Sequence, residues 1–310
     1  MTDTVTPGKT VVRVGDRVFA GTARLAAILI MVALAGVAVF LLIEGLPGLT
    51  APADIYRPAD NFWSYVGPLV WGTILAALVA LVIAVPFSVG LALFISHYAP
   101  PRVAGPIAYV IDLLAAIPSV VYGLWGGLAL AHWMTPSIDW LYGNLDFIPF
   151  FAGPPSVTGR TMLTAGIVLA IMVIPITTAI SREVFAQTPR LHEEAAMALG
   201  ATRWETIRLA VFPYARSGVV SGVMLGLGRA LGETMAVAMV LSATPIYTLN
   251  LISNSNPSTI AQNIAANYKE ATPDRQALLI ATGLVLFIVT FAVNFVARLI
   301  VARGERKVTR

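Results

Sequence analysis

Long apolar stretches are the feature that most restricts the fold of this chain. A helix needs about 20 predominantly apolar residues to cross a bilayer. Six stretches approach or exceed that length, at 25–43, 65–95, 105–131, 161–181, 217–243 and 276–301. Hydrophobic residues make up 57% of the chain and charged residues only 12%, whereas about 25% of a soluble domain is charged. The sequence therefore predicts an all-α membrane protein with six transmembrane helices.

The two ends of the chain are polar, and they frame the apolar part. We assign residues 1–24 to an N-terminal segment, 25–303 to the membrane domain and 304–310 to a basic tail. The first apolar stretch ends without small residues at the spacing of a signal-peptide cleavage site. It is therefore predicted to remain as a helix.

Few groups in the sequence suit metal binding or catalysis. Cysteine is absent, and His97, His132 and His192 lie far apart along the chain. No metal site is expected, because such a site needs several ligands at one place. Residues 8–10 resemble the end of a nucleotide-binding loop, but Asp3 stands where that loop needs its first glycine. We therefore expect no bound cofactor and no ATPase activity in this chain.

The distribution of positive charge predicts the orientation in the membrane. Most of the 20 lysines and arginines lie at the two termini, in the turn at 97–104 and in the segment 182–216. The three segments between the other spans carry few, and Arg229 lies inside the fifth apolar stretch. Lysine and arginine are enriched on the cytoplasmic side of membrane proteins. Both termini and the charged segment are therefore predicted to face the cytoplasm.

A charged segment at 183–216 interrupts the apolar stretches and is too polar to cross a bilayer. Gly200 is suited to end a helix, since it adopts a left-handed conformation without steric cost. Thr202 and Glu205 have the spacing of a capping box, which begins the next helix, and we expect Pro213 to end it. The segment is thus predicted to form two short helices joined by a tight turn.

This segment resembles the EAA loop of the permease subunits of ABC importers. The similarity is carried by Glu194-Ala195-Ala196 and by Gly200 after three further residues. It implies the type I importer permease fold, in which this loop is the cytoplasmic coupling helix that docks on the ATPase subunit. The residues that the resemblance assigns to ATPase coupling are Glu193, Glu194, Ala195, Ala196 and Gly200.

The fifth apolar stretch contains a charged pair. On a continuous helix Gly222, Gly226, Arg229 and Glu233 would share one stripe, and small residues at this spacing let helices approach closely. An arginine at mid-bilayer costs at least ~3 kcal/mol. Two interpretations follow: Arg229 and Glu233 neutralise each other as an i,i+4 ion pair, or Arg229 binds a passing anion while Glu233 orients it.

A narrower resemblance comes from two sequences, GRALGETMAV at 228–237 and IPSVVYGL at 117–124. They are similar to the permeases of phosphate importers, and more to the PstC than to the PstA branch. The resemblance implies a PstA-like second permease subunit, a cytoplasmic PstB-like ATPase dimer that binds ATP and Mg, and a PstS-like phosphate-binding protein outside a bacterial cell membrane. The residues expected along the substrate pathway are Arg229, Glu233, Ser119 and Thr234.

Two polar positions keep alternative interpretations. Ser119 follows Pro118, where a helix backbone can open toward a cavity, but its hydroxyl can equally bond back to its own helix. Asp112 is expected to partner a neighbouring helix, because a carboxylate would repel an incoming anion.

The expected function is that of a permease subunit for phosphate. One alternative is a permease subunit for another oxyanion, such as sulfate or molybdate. The other is an ion-coupled carrier that needs no ATPase.

Overall fold

A computed structural model describes residues 14–308 of the chain, and side-chain surroundings from 15 to 299. The nucleotide-loop-like residues 8–10 therefore lie outside the described part. Within it, the helices and strands have the following bounds: α1 Val14–Leu49, α2 Phe62–Leu93, α3 Pro101–Ala115, α4 Ser119–Trp125, α5 Ala131–Leu145, α6 Met162–Ala186, α7 Arg190–Ala198, α8 Arg203–Thr206, α9 Phe212–Gly232, α10 Met235–Val240, β1 Ala243–Thr244, β2 Asn256–Pro257, α11 Ile260–Asn267 and α12 Pro273–Val308.

Single helical turns connect several of these elements. Turns of π-helix follow α2, α4 and α8, and short 3-10 turns precede α2 and α12. The strands β1 and β2 form one short parallel pair in the long segment before α11. Five helices of the described part are long and apolar enough to cross a membrane, and the bent pair α3 with α4–α5, taken as one broken span, makes six. The predicted all-α, six-span architecture is confirmed.

The centre of the molecule is the contact between α2 and α6, the most extensive between any two elements. On α2, Ala76, Ala80 and Ala84 recur every four residues and are almost completely buried. On α6, a Cβ added to Gly166 would lie 2.3 Å from a methyl group of Val79. Small side chains at helical spacing let two membrane helices approach closely, so that backbone and methyl groups fill the interface.

The first helix lies outside this core. The apolar part of α1 has no buried residues, and α1 packs mainly along α12. At Gly48 the backbones come so close that an added Cβ would lie 2.4 Å from the carbonyl oxygen of Ala277. The helix begins at Val14, which is earlier than the predicted boundary at residue 25.

The third predicted span, 105–131, is not one straight helix: it breaks at Pro118, where the sequence suggested that the helix backbone opens. It divides into α3 and the α4–α5 segment, which meet at 92°. Pro118 lies in the break with an extended backbone, because proline has no N–H to donate and disfavours helical geometry in the residue before it. The helix after the break continues to Leu145, where a loop from residue 132 was predicted.

The fifth predicted span is also divided. The helix α9 ends at Gly232, Glu233 is extended with φ −70° and ψ 126°, and the short helix α10 follows. No proline marks this break. The prediction of one continuous helix over 217–243 is therefore wrong, and Arg229 and Glu233 do not lie one turn apart on a shared helix.

The charged segment folds into an elbow, which we define as α7, the turn at Gly200 and α8. Gly200 has φ +87°, and Thr202 and Glu205 form the complete capping box, as predicted. Pro213 does not end the second helix. It lies in the first turn of α9, directly after a π-helical turn, where its missing N–H interrupts little of the backbone hydrogen bonding. The helical path therefore continues from the elbow into the fifth span.

Candidate functional site

The two broken spans meet at their second halves. The short helix α10 packs against α4, and two glycines of the third span make the close approach possible. A Cβ added to Gly123 would lie 2.8 Å from the Cα of Ala236, and one added to Gly127 would lie 2.6 Å from the carbonyl oxygen of Met239. The breaks in both spans are thereby brought into one region of the molecule.

Side chains satisfy the backbone groups that the breaks release. The Tyr122 hydroxyl donates to the Leu114 carbonyl at 2.9 Å across the first break, and the Thr234 hydroxyl donates to the Gly232 carbonyl at 3.1 Å beside the second. Irregular backbone at membrane depth is tolerated only where such partners, or a cavity, replace the lost helical bonds. Thr234 therefore helps to stabilise the end of α9.

Opposite charges lie at the two ends of α10. A carboxylate oxygen of Glu233 accepts from the backbone N–H of Ala236 at 3.1 Å, and the Arg160 guanidinium donates to the Met239 carbonyl at 2.5 Å. Helix ends carry free N–H groups at the start and free carbonyls at the finish, with matching partial charges. The Glu233 carboxylate thus holds the start of the short helix, and the Arg160 guanidinium holds its end.

Arg229 lines a cavity of about 790 Å³ between α6, α9 and α12. The walls carry polar groups from α9 and α12 and apolar groups from all three helices, but no aspartate or glutamate. Among residues 15–299, the ion pairs within 4.0 Å are His97–Glu193 and Arg182–Asp112. The Arg229 guanidinium therefore borders open space with no carboxylate at salt-bridge distance.

The ion pair that the sequence suggested between Arg229 and Glu233 is not formed. The break after Gly232 carries Glu233 out of the helix, and its carboxylate is used at the start of α10. Glu233 stabilises the break, while Arg229 lies in the last turn of α9. The two residues are near each other in sequence but have different partners.

Two residues of this cavity were missed from the sequence. Asn294 and Arg298 of α12 line the same space as Arg229. They are four residues apart and so share one face of the helix, and this spacing is the signal that could have found them. From the sequence, Arg298 counted only among the positive charges at the C-terminal end of the chain.

The predicted close-packing stripe of α9 is confirmed for its glycines. Added Cβ atoms at Gly218, Gly222 and Gly226 would approach side chains of α6, with nearest distances of 2.5, 3.1 and 2.6 Å. Gly228 and Gly232 have nothing within 4 Å of such an atom. The first three glycines therefore bring α9 against α6, and the last two do not.

Ser119 and Asp112 lie on the two sides of the first break. Ser119 is the first residue of α4, is half-buried, and makes no side-chain hydrogen bond within the described residues. Asp112 lies 3.8 Å from the Arg182 guanidinium of α6. The expected partner on a neighbouring helix is thus present for Asp112, and Ser119 does not bond back to its own helix.

The elbow exposes an apolar surface. Leu191 and Leu199 are 73% and 90% exposed, and a groove of about 760 Å³ runs between α7 and the following helix. Its lining includes Ala195, Ala196 and Gly200, three of the residues that the EAA resemblance selects. Glu194 is exposed beside them. Apolar side chains concentrated on one solvent-facing elbow are typical of a surface that binds another protein.

Local contacts hold the elbow in place. His97, at the end of the second span, lies 3.7 Å from the carboxylate of Glu193 and 2.7 Å from the Ser96 hydroxyl. Within α8, hydrogen bonds from the Thr202 backbone N–H and hydroxyl hold the pKa of the Glu205 carboxyl below its usual value. The elbow is thus fixed to the membrane part and has an internally stabilised second helix.

Comparison with known proteins decides the family. The family model described as "Binding-protein-dependent transport system inner membrane component" matches residues 84–309. The chain belongs to this family. It is therefore an inner-membrane transport permease, a transport subunit and not an enzyme, and permeases of this kind work with a substrate-binding protein and with a partner subunit that hydrolyses ATP.

Curated relatives cover most of the permease. It is 44% identical to "Phosphate transport system permease protein PstC 2" of Mycobacterium tuberculosis over 93% of this chain and 92% of the relative. It is 45% identical to the PstC permease of Xylella fastidiosa over 81% and 78%, and 37% identical to that of Haemophilus influenzae over 94% of both chains. The resemblance to PstC-type permeases is confirmed.

Solved structures agree on the fold. The permease resembles a chain of a bacterial ABC transporter involved in alginate import, with a TM-score of 0.55, 16% identity and coverage of 95% and 100% of the two chains. It also resembles a chain of the inward-facing MetNI methionine ABC transporter, with a TM-score of 0.50, 16% identity and coverage of 77% and 94%. The ABC importer permease fold expected from the EAA segment is confirmed.

Proposed function

We propose that this permease imports inorganic phosphate, forming half of a translocation pathway driven by ATP hydrolysis in a partner. The observation that carries the proposal is the Arg229 guanidinium, which borders a cavity free of acidic side chains. A guanidinium binds the oxygens of a phosphate in pairs. The relatives named as phosphate transport permeases support the same substrate.

In this mechanism Arg229 provides the positive charge that a dianion needs inside the membrane. A cavity wall without carboxylates avoids repelling the anion, and Arg298 adds a second positive charge to the same cavity. Ser119 and Thr234 are the other pathway residues of the proposal and lie beside the two breaks, outside the lining of the Arg229 cavity. The Ser119 hydroxyl has no hydrogen bond within the described residues, whereas the Thr234 hydroxyl donates to the Gly232 carbonyl. Glu233 acts by holding the start of α10. Discontinuous helices of this kind form substrate sites in other transporter folds.

The elbow transmits the movement of the ATPase. One helical path runs over Arg203–Gly232, which at 1.5 Å per residue is roughly 45 Å of stiff helix. This path begins at the exposed groove of the elbow and ends one turn beyond Arg229. Closure of an ATPase against Glu193, Glu194 and the neighbouring alanines would therefore displace the cavity that contains Arg229, and switch access from one side to the other.

The partners follow from this mechanism. We propose a PstA-like second permease, a PstB-like ATPase dimer on the elbow and a PstS-like binding protein at the opposite end. The excess of lysine and arginine on the elbow side supports placing the elbow and both termini in the cytoplasm. No cofactor is assigned to this chain, and ATP with Mg belongs to the ATPase partner.

The experiment that tests the substrate is ATPase stimulation in the reconstituted complex of permeases, ATPase and binding protein. Phosphate should stimulate ATP hydrolysis and enter proteoliposomes, and sulfate or molybdate should do neither. Stimulation by sulfate or molybdate, with no response to phosphate, would replace the substrate but keep the coupling. Uptake by the permease in proteoliposomes without any ATPase would contradict the whole proposal.

A further inference from the structure

A second cavity lies at the end of the molecule opposite the elbow. It has a volume of about 280 Å³ and lies between the segment before α2, the start of α2, and the helices α11 and α12. Arg57 and Arg275 both line it, together with Tyr65 and three side-chain amides. No aspartate or glutamate contributes to its wall. Two arginines that line one small space, with no carboxylate in its wall, give that space a positive potential.

Two polar groups of this cavity, the Tyr65 hydroxyl and the Gln262 amide, have hydrogen-bond donors that no described residue accepts. Asn263 donates its amide to the Tyr65 oxygen at 2.9 Å, so the Tyr65 O–H remains free to donate elsewhere. Gln262 is only 6% exposed. Its carbonyl oxygen accepts from Ser258, but its NH₂ group has no hydrogen-bond partner within the described residues. The NH₂ group of Gln262, which lines the cavity, is therefore available to donate to a ligand there.

The charges of the two arginines are also available. Neither Arg57 nor Arg275 lies within 4.0 Å of a carboxylate among residues 15–299, where the ion pairs involve other residues. Asp60 and Asp274 are close to them in sequence but do not line the cavity. The set of groups that meets there therefore consists of two cations, a phenol and amide donors, which is complementary to a tetrahedral oxyanion.

We propose that this pocket, formed around Arg57, Arg275, Tyr65 and Gln262, is an oxyanion-binding site distinct from the Arg229 cavity. Its ligand carries a phosphate-type group, either free phosphate approaching the pathway or the phosphate of a lipid headgroup. The role as a first station for transported phosphate rests on the proposed function. The proposal that the pocket binds an oxyanion does not rest on that function, because it is argued from the residues that line the pocket.

Cysteine labelling tests the site without requiring transport. The chain has no cysteine, so Ala266→Cys places a single thiol at the pocket wall without removing a donor. Val157→Cys, at an 80% exposed position outside the pocket, is the control. Both variants are made in the assembled complex in detergent, and labelling of this chain alone is read by mass spectrometry with an anionic and a cationic thiosulfonate.

The pocket should prefer the anionic reagent over the cationic one by about tenfold more than the control does, because local positive potential concentrates anions. Inorganic phosphate should slow labelling of Ala266→Cys in proportion to its occupancy and leave Val157→Cys unchanged. Adding Arg57→Gln and Arg275→Gln should remove both the preference and the protection, while Arg57→Lys and Arg275→Lys should keep the preference.

The arms of this experiment separate the two sources of the ligand. Protection by inorganic phosphate in lipid-free detergent assigns the site to a free oxyanion, and protection only by added phosphatidylglycerol assigns it to a headgroup. Protection by neither overturns the proposal, as does protection only by the binding protein, which would make the pocket a protein contact. A complex that shows phosphate protection but no phosphate-stimulated ATPase would retain this site and contradict the proposed function.

Discussion

At the scale of single residues, the break after Gly232 gives Arg229 and Glu233 different surroundings and different partners. Arg229 remains on the helix and borders the cavity, whereas the Glu233 carboxylate accepts the N–H of Ala236 and begins α10. A buried cation in a membrane is costly, at ~3 kcal/mol or more. Here the half-buried Arg229 borders a cavity to which Ser221, Asn294 and Arg298 also contribute, and no carboxylate lies within salt-bridge distance of it among residues 15–299.

The role of Glu233 predicts a difference between two substitutions. Glu233→Gln keeps an oxygen that can accept the Ala236 N–H, so the thermal stability of the purified complex should stay near that of the wild type. Glu233→Ala removes the acceptor and should lower stability by about 1 kcal/mol, as for the loss of a helix cap. Equal destabilisation by both variants would show that the negative charge, and not the hydrogen bond, stabilises the break.

At the scale of elements, contacts between small residues determine how the spans pack. Gly226 of α9 faces Val173 and Thr177 of α6, with 2.6 and 2.8 Å to an added Cβ, whereas Gly228 faces open space. In a close-packed membrane interface one additional methyl group has no room. The two glycines are two residues apart, and yet only one of them makes a helix contact.

This difference provides a matched pair of variants. Gly226→Ala should destabilise the permease by roughly 1–3 kcal/mol, because α6 and α9 must move apart. Gly228→Ala should be neutral or stabilise by up to about 1 kcal/mol, since alanine favours helix and nothing obstructs it. Thermal unfolding of the complex in one detergent compares them. Equal melting temperatures for the two variants would contradict the described packing of α9 on α6.

Local signals in the sequence were sufficient for some elements and insufficient for others. Gly200 and the Thr202–Glu205 box specify their own geometry, so the elbow could be predicted from a few residues. The break at Glu233 has no local marker, because Gly232 is tolerated within a helix and the apolar pattern continues through it. Its position depends on α4, against which α10 packs.

The candidate site was predictable in part for the same reason. Arg229 is conspicuous as a charge within an apolar stretch, and this needs no knowledge of the fold. The spacing of Asn294 and Arg298 marks a shared helix face, but that this face meets Arg229, and that Arg57 meets Arg275, depends on contacts between distant parts of the chain. The i,i+4 relation of Arg229 and Glu233 failed because it assumed a helix that the tertiary structure interrupts.

At the scale of the whole molecule, the elbow, the fifth span and the cavity form one mechanical unit. The helical path from Arg203 to Gly232 connects the groove of the elbow with Arg229. The first helix, in contrast, packs mainly on α12, and its apolar part has no buried residues. We therefore expect force applied at the elbow to reach the cavity along this continuous helical path, while the outer helix need not move.

The turn at Gly200 tests this coupling. Its φ of +87° is unfavourable for side chains with a Cβ, and the space around it is open, so Gly200→Val should strain the turn by ~1–3 kcal/mol. Gly200→Asn is the control, because asparagine tolerates this conformation. In proteoliposomes the valine variant should hydrolyse ATP with less phosphate transported per ATP than the asparagine variant. Wild-type coupling in the valine variant would remove the role assigned to the elbow.

The central claim is that the Arg229 guanidinium serves a passing phosphate and not the packing of the fold. Phosphate uptake by proteoliposomes that contain the assembled complex with Arg229→Ala tests it most directly, with recovery of the second permease and the ATPase during purification as the check on assembly. We predict that assembly survives and uptake is abolished. Normal uptake combined with weakened assembly would contradict the claim and make Arg229 a structural residue.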